Sequence, residues 1–171
     1  MAHDPGESAS LVVRSSDDVL VSLTHRVRPL LIVVWFGHFN GAVAARATRE
    51  ISTFAEQRQR RIDILSLFAA TSGISLRSAT KVSTRSVLDL SEQVRRIATV
   101  VERRGFVGAV QRNFARFISS TNIAVFEMIV PKDRGAAITW LFEGEDAPAD
   151  LDDQAAILSE LEAMFPTEPS A

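Results

Sequence analysis

The chain has no cysteine among its 171 residues. That excludes disulfides, thiolate metal sites and a cysteine nucleophile, and it fits a cytosolic protein. Histidine is nearly as scarce: only His3, His25 and His38 occur. None of them stands in a His-x-x-x-His or His/Asp/Glu spacing suited to a metal. His38 could sit at the mouth of a sheet or simply cap a turn. Neither charge sign is in excess. A formal net charge of −2 gives no bulk electrostatic case for nucleic acid or for an anionic membrane. Phosphate loops are missing too. Gly37-His38-Phe39-Asn40-Gly41 lacks the three-glycine spacing and puts bulky residues where a pyrophosphate would approach, and no Gly-Lys-Ser/Thr loop occurs. There is no Gly-x-Ser-x-Gly elbow, and no paired carboxylates can be assigned to one cleft. The longest apolar run, Leu30 to Phe36, falls far short of the about 20 residues that cross a bilayer. Residues 1–9 lack the basic and apolar regions of a signal peptide. These absences predict a protein that is not an enzyme, holds no metal or cofactor, binds no nucleic acid, is not inserted in a membrane, and is cytoplasmic.

What is present suits a single globular domain: 46% apolar and 23% charged residues, enough for one core. Residues 1–9 are expected to form a disordered tail. Residues 10–143 read as the domain, and 144–171 as an acidic linker and a C-terminal helix. Within the domain, Leu11-Val12-Val13 starts a short strand, and Ser15-Ser16-Asp17-Asp18 is turn chemistry. Val19, Val21 and Leu23 alternate with Leu20, Ser22 and Thr24, a strand pattern. Leu30 to Phe36 is a third, β-branched strand, and short links make the three an antiparallel meander. Asn40 is placed to cap a helix. That helix carries Val43, Ala47, Ile51, Phe54 and Ala55 on one stripe and ends near Gln59.

The stretch from Arg58 to Arg77 organises the rest. Ile62 to Phe68 is an apolar run bounded by turn residues, the mark of a strand buried on both faces. The small, hydroxyl-rich segment 69–76 follows it. Residues 77–94 read as a second, irregular helix, 97–101 as a strand, and 105–118 as the cleanest amphipathic helix. Residues 123–130 read as a last strand, 132–142 as a helix with Trp140 and Leu141 facing the sheet, and 151–165 as the C-terminal helix. Strands alternating with helices should be parallel. The expected fold is therefore α/β. Its small mixed β-sheet combines an N-terminal antiparallel meander with later parallel strands. Helices lie mostly on one face, and a C-terminal helix is added.

The loop after a central strand is where open α/β sheets place their sites. Thr71, Ser72 and Ser75 beside Gly73 read either as turn and cap chemistry or as phosphate acceptors. A phosphate there would add nearly two charges at a helix start. The arginine doublets Arg60-Arg61, Arg95-Arg96 and Arg103-Arg104 read either as solvated strand ends or as anion and partner contacts.

At this loop the chain resembles the STAS family: the domain of anti-sigma-factor antagonists, sulfate-transporter tails and stressosome-type proteins. It is similar above all to the divergent antagonist-like branch. The resemblance covers about residues 10–143 and is topological more than motif-based. It rests on Trp35-Phe36-Gly37-His38-Phe39, similar to the family's strand-to-helix turn, and on the strand Arg61 to Phe68 running into Thr71-Ser72-Gly73. The family's switch reads Asp-Ser-Ser-Gly; here Ala70-Thr71-Ser72-Gly73 has alanine for the aspartate and threonine at the acceptor position. The resemblance implies a non-catalytic regulatory module that binds another protein, with Thr71, Ser72, Gly73, Ile74 and Arg77 as contact residues. Two competing readings stay open. One is a small-ligand or lipid-binding module with an apolar pocket near Trp35, His38 and Trp140. The other is an assembly subunit that forms a homodimer through its C-terminal helix.

Overall fold

The computed structural model describes residues 10–74, 90–121, 126–143 and 151–167. Its strands are β1 (Leu11–Ser16), β2 (Leu20–His25), β3 (Leu30–Trp35), β4 (His38–Phe39), β5 (Ile62–Phe68), β6 (Gly73–Ile74), β7 (Val94–Val101) and β8 (Glu127–Ile129). Its helices are α1 (Gly41–Arg58), α2 (Gly105–Thr121), α3 (Arg134–Phe142) and α4 (Leu151–Met164).

The turn after β1 is built by Asp17, whose carboxylate accepts the N–H groups of Val19 and Leu20, both at 2.9 Å. β1, β2 and β3 form the antiparallel meander. β5, β7 and β8 then add in parallel, giving a six-stranded sheet in the order β1-β2-β3-β5-β7-β8. The α/β class and the mixed sheet stand as expected. All six residues of β2 are buried. Both faces of the sheet are covered.

The period-two geometry of the strands divides the core accordingly. Leu31, Val33, Trp35, Ile62 and Ile64 point to one side and pack against Val43, Ala47, Ile51 and Phe54 of α1. Ile32, Val34, Leu65 and Leu67 point to the other and pack against Ala137, Ile138 and Leu141 of α3 and Ile157 and Leu161 of α4. Helices are thus shared between the faces, where most were expected on one. A parallel β–α–β crossover fixes the side on which its helix lies. α3 and α4 follow the last strand, so no crossover binds them to the side of α1. α4 packs on the sheet within the chain, with Ile157 and Leu161 fully buried.

α1 begins as the sequence indicates: the Asn40 side chain accepts from Ala42 N–H at 2.9 Å and Val43 N–H at 3.1 Å. It ends at Gln59, which adopts a left-handed conformation with φ 51°. Arg58 in its last turn donates to the carbonyls of His25 (2.6 Å) and Arg26 (3.0 Å) and so ties α1 to the β2–β3 turn. The other arginines flanking strands act similarly. Arg61 donates to the carbonyls of Val94 and Ser91, both at 3.0 Å. Arg95 forks onto the buried carboxylate of Asp63. Arg96 pairs with Glu127 at 2.7 Å and lies over the Trp140 ring.

Most of the irregular helix expected over 77–94 falls on residues 75–89, outside the described residues. Its end is strand instead: Val94 opens β7, and Leu90 is buried in the preceding turn, where its carbonyl accepts from Gln93 and Val94 N–H. Of the strand expected over 123–130, residues 127–129 pair with β7, and 122–125 lie outside the described residues.

Candidate functional site

The segment after β5 was expected as an open loop. The structure makes its first half a held turn. Ala69 N–H donates to the Trp35 carbonyl at 3.0 Å, and Ser72 N–H donates back to the Ala69 carbonyl at 2.9 Å. Gly73 N–H then reaches the Gly37 carbonyl at 2.7 Å. This last bond belongs to a short parallel ladder in which β4 pairs with β6, His38 opposite Gly73 and Phe39 opposite Ile74. The strand–glycine turn after β3 and the turn after β5 are therefore zipped together at the C-terminal edge of the sheet.

This arrangement separates the predicted residues. Thr71 is exposed at the apex. Ser72 is 0% exposed, so it is not open to a kinase or a partner as expected. Its carbonyl accepts from Arg103 at 3.2 Å and from Gln111 at 3.4 Å, and its hydroxyl has no partner among the described residues. Gly73 packs against His38: a Cβ there would lie 2.9 Å from the imidazole Nδ1. Ile74 belongs to β6. Ser75 and Arg77 lie outside the described residues. The Arg103-Arg104 doublet is marked in the sequence and Gln111 is not, and no local pattern ties either residue to Ser72, from which they lie 31 and 39 residues away.

Beside Thr71 a cleft of about 810 Å³ opens at the carboxyl ends of the parallel strands. Its apolar floor comes from Val34 near the end of β3 and Phe36 just after it, Ala69 and Ala70 after β5, and Val100 near the end of β7. Its walls are the first turn of α3 and the end of α4, where Leu158 and Phe165 contribute. Phe165 rests against Phe36, ring centroids 5.4 Å apart. Arg134, at the start of α3, has a side chain only 8% exposed and lies between two carboxylates, Glu102 at 2.5 Å and Glu162 at 3.1 Å. Glu162 also accepts from Thr167 N–H at 2.6 Å and from its hydroxyl at 2.8 Å. These bonds to Thr167 hold its carboxyl below the ordinary glutamate range, with burial opposing and Arg134 assisting. Arg104, Arg112 and Lys132 stand around the same cleft.

Trp35 and Trp140, expected with His38 around one pocket, do not come together, because the sheet separates the two tryptophans. Trp35 lies in the core on the α1 side, donates its indole N–H to Ser66 Oγ at 2.8 Å and stacks on Phe68. Trp140 packs against the core of the opposite face, and His38 is exposed in β4. Among the described residues no group of three or more His, Asp or Glu could hold a metal ion, and no helix is long and apolar enough to cross a membrane.

No protein-family model and no curated protein matches the chain. Among solved structures the chain is similar to an uncharacterized protein of the DUF3478 family with a SpoIIAA-like fold from Shewanella loihica PV-4. The two are 17% identical with a TM-score of 0.47, and the match covers 77% of this chain and 91% of that one.

Proposed function

We propose that the protein is a non-catalytic regulatory module of STAS-like type, a signalling adaptor that binds another protein through the turn after β5. The observation that carries this reading is the display of Thr71. Its side chain is exposed, while Ala69 and Gly73, two residues before and after it, are held by main-chain bonds to Trp35 and Gly37. A rigid, solvent-facing apex lowers the ordering cost of forming an interface. Thr71 is also the residue at which the STAS resemblance places its switch, and among the described residues of this turn, with Ser72 buried, its hydroxyl is the one that a modifying enzyme can reach.

The test is a photo-crosslinking amino acid placed at position 71 and, separately, at the exposed Gln57 on α1. Position 71 should give a defined protein adduct that position 57 does not. Thr71→Arg should lower recovery of that same partner by about tenfold, the equivalent of about 1.4 kcal/mol. Identical adducts from both positions would remove the turn from consideration.

A further inference from the structure

β1 is an edge strand whose ladder slips once. Val13 stands opposite Leu23 and Ser15 opposite Ser22, which leaves Arg14 as the extra residue between them. A bulge of this kind bends the strand and re-aims a side chain. Here Arg14 turns toward α1, with its guanidinium carbon 5.3 Å from the centroid of the Phe54 ring. Ser22 shares that face, because its partner across the ladder is Val33, which packs in the core against α1. Ser15, directly opposite Ser22, leaves the sheet on the same side.

The bulge thus gathers three groups that can all donate. Arg14 Nη1, Ser15 Oγ and Ser22 Oγ are shielded from solvent and have no hydrogen-bond partner among the described residues. Ser22 is 0% exposed. Buried polar groups are ordinarily satisfied, and buried charge is ordinarily paired. A second guanidinium, that of Arg58, lies 5.0 Å from the same ring centroid, and it turns to the main-chain carbonyls of His25 and Arg26. A ring face attracts a cation without neutralising it, so Phe54 leaves both charges in place.

We infer that Arg14, Ser15 and Ser22 form a site for a small monovalent anion of the size of chloride, enclosed between β1, β2 and α1. The guanidinium supplies the opposite charge, and the two hydroxyls donate to the ion. Full burial of Ser22 favours a bare ion over a phosphate ester, which is larger and carries nearly two charges at neutral pH. None of the three residues lines the cleft beside Thr71, and β2 and β3 separate β1 from β5. Protein binding at Thr71 and anion binding here can each fail alone.

The probe is chloride itself, followed by the broadening of its NMR resonance on titration with the full chain. Urea unfolding at constant ionic strength, with gluconate replaced stepwise by chloride, gives a second readout. The broadening should saturate, and chloride should raise the unfolding midpoint, since an ion bound to the folded state alone stabilises it. Arg14→Gln keeps an apolar stem over Phe54 and should weaken chloride about tenfold, as loss of one partly shielded charge would. Ser22→Ala should weaken it by a similar factor through the lost charge-assisted bond. Arg49→Gln, at an exposed position on α1, should change neither readout. Should Arg14→Gln not fold, Ser22→Ala decides. Absence of saturable broadening, wild-type affinity in Arg14→Gln or Ser22→Ala, or an equal loss in Arg49→Gln would each overturn the inference and leave water as the partner of the two hydroxyls.

Discussion

Gly108 has no room for a methyl group. A Cβ there would lie 1.7 Å from the carbonyl oxygen of Arg103, backbone that cannot move aside without shifting the start of α2. The same carbonyl accepts from Arg112 at 2.9 Å, so the close approach fixes how α2 leaves β7 and where Arg112 stands at the cleft. Gly37 is constrained in another way: its φ is +35°, and a Cβ would lie 2.7 Å from Val19 Cγ1. Both glycines set backbone that side chains of the site depend on. Gly108→Ala is expected to destabilise the protein by about 1–3 kcal/mol, the usual cost of overpacking. It should also move the Arg103 and Thr71 amide resonances. Chemical denaturation with amide mapping checks both, and a wild-type midpoint would show that α2 can shift at no cost.

At the scale of elements, what was legible follows from how local each cause is. Asn40 before an apolar stripe announces α1, because a cap and its helix are neighbours in sequence. Ile62 to Phe68 announces β5, because a strand buried on both faces needs a continuous apolar run. Asn40→Ala should therefore cost about 1 kcal/mol, the ordinary value of such a cap, with amide exchange quickening first at Ala42 and Val43. Uniform quickening along α1 would instead mean that packing, not the cap, holds its first turn. Val94 misled for a complementary reason: Val87, Leu90 and Val94 have helical spacing, yet Val94 is drawn into β7, opposite Ile62. The turn after β5 was legible as a location and illegible as a shape. Its burial of Ser72 depends on Gly37, Arg103 and Gln111, which reach it from other elements. The cleft was invisible for the same reason: α3 and α4 complete it, and nothing in their own sequences says which face of the sheet they cover.

The whole molecule is closed by a contact between its two ends. Glu160 on α4 accepts from Ser10 N–H at 2.6 Å, Ser10 Oγ at 2.8 Å and Leu11 N–H at 2.9 Å, residues about 150 positions away. At the other end of α4, Asp153 pairs with Arg28 at 2.5 Å and meets His25 Nε2 at 3.2 Å. His25 Nδ1 in turn accepts from Val27 and Arg28 N–H, so α4 is fastened to β1 and to the β2–β3 turn as well as to the core. Burial pushes the Glu160 carboxyl upward, but the bonds from Ser10 and Leu11 and the electrostatic influence of His25 outweigh it and hold the group below its ordinary value of 4.5. A carboxyl depressed on folding stabilises the native state above its unfolded value, and that contribution is lost as pH falls through the lower folded value. Glu160→Gln, which resembles the protonated acid, should therefore be less stable than wild type at neutral pH. The gap should narrow as pH falls below the ordinary value of 4.5 and close once the folded carboxyl is itself protonated. Urea unfolding of both proteins across that window measures it. A gap that stays constant with pH would mean that the shape of the side chain, and not its charge, joins the two ends of the chain.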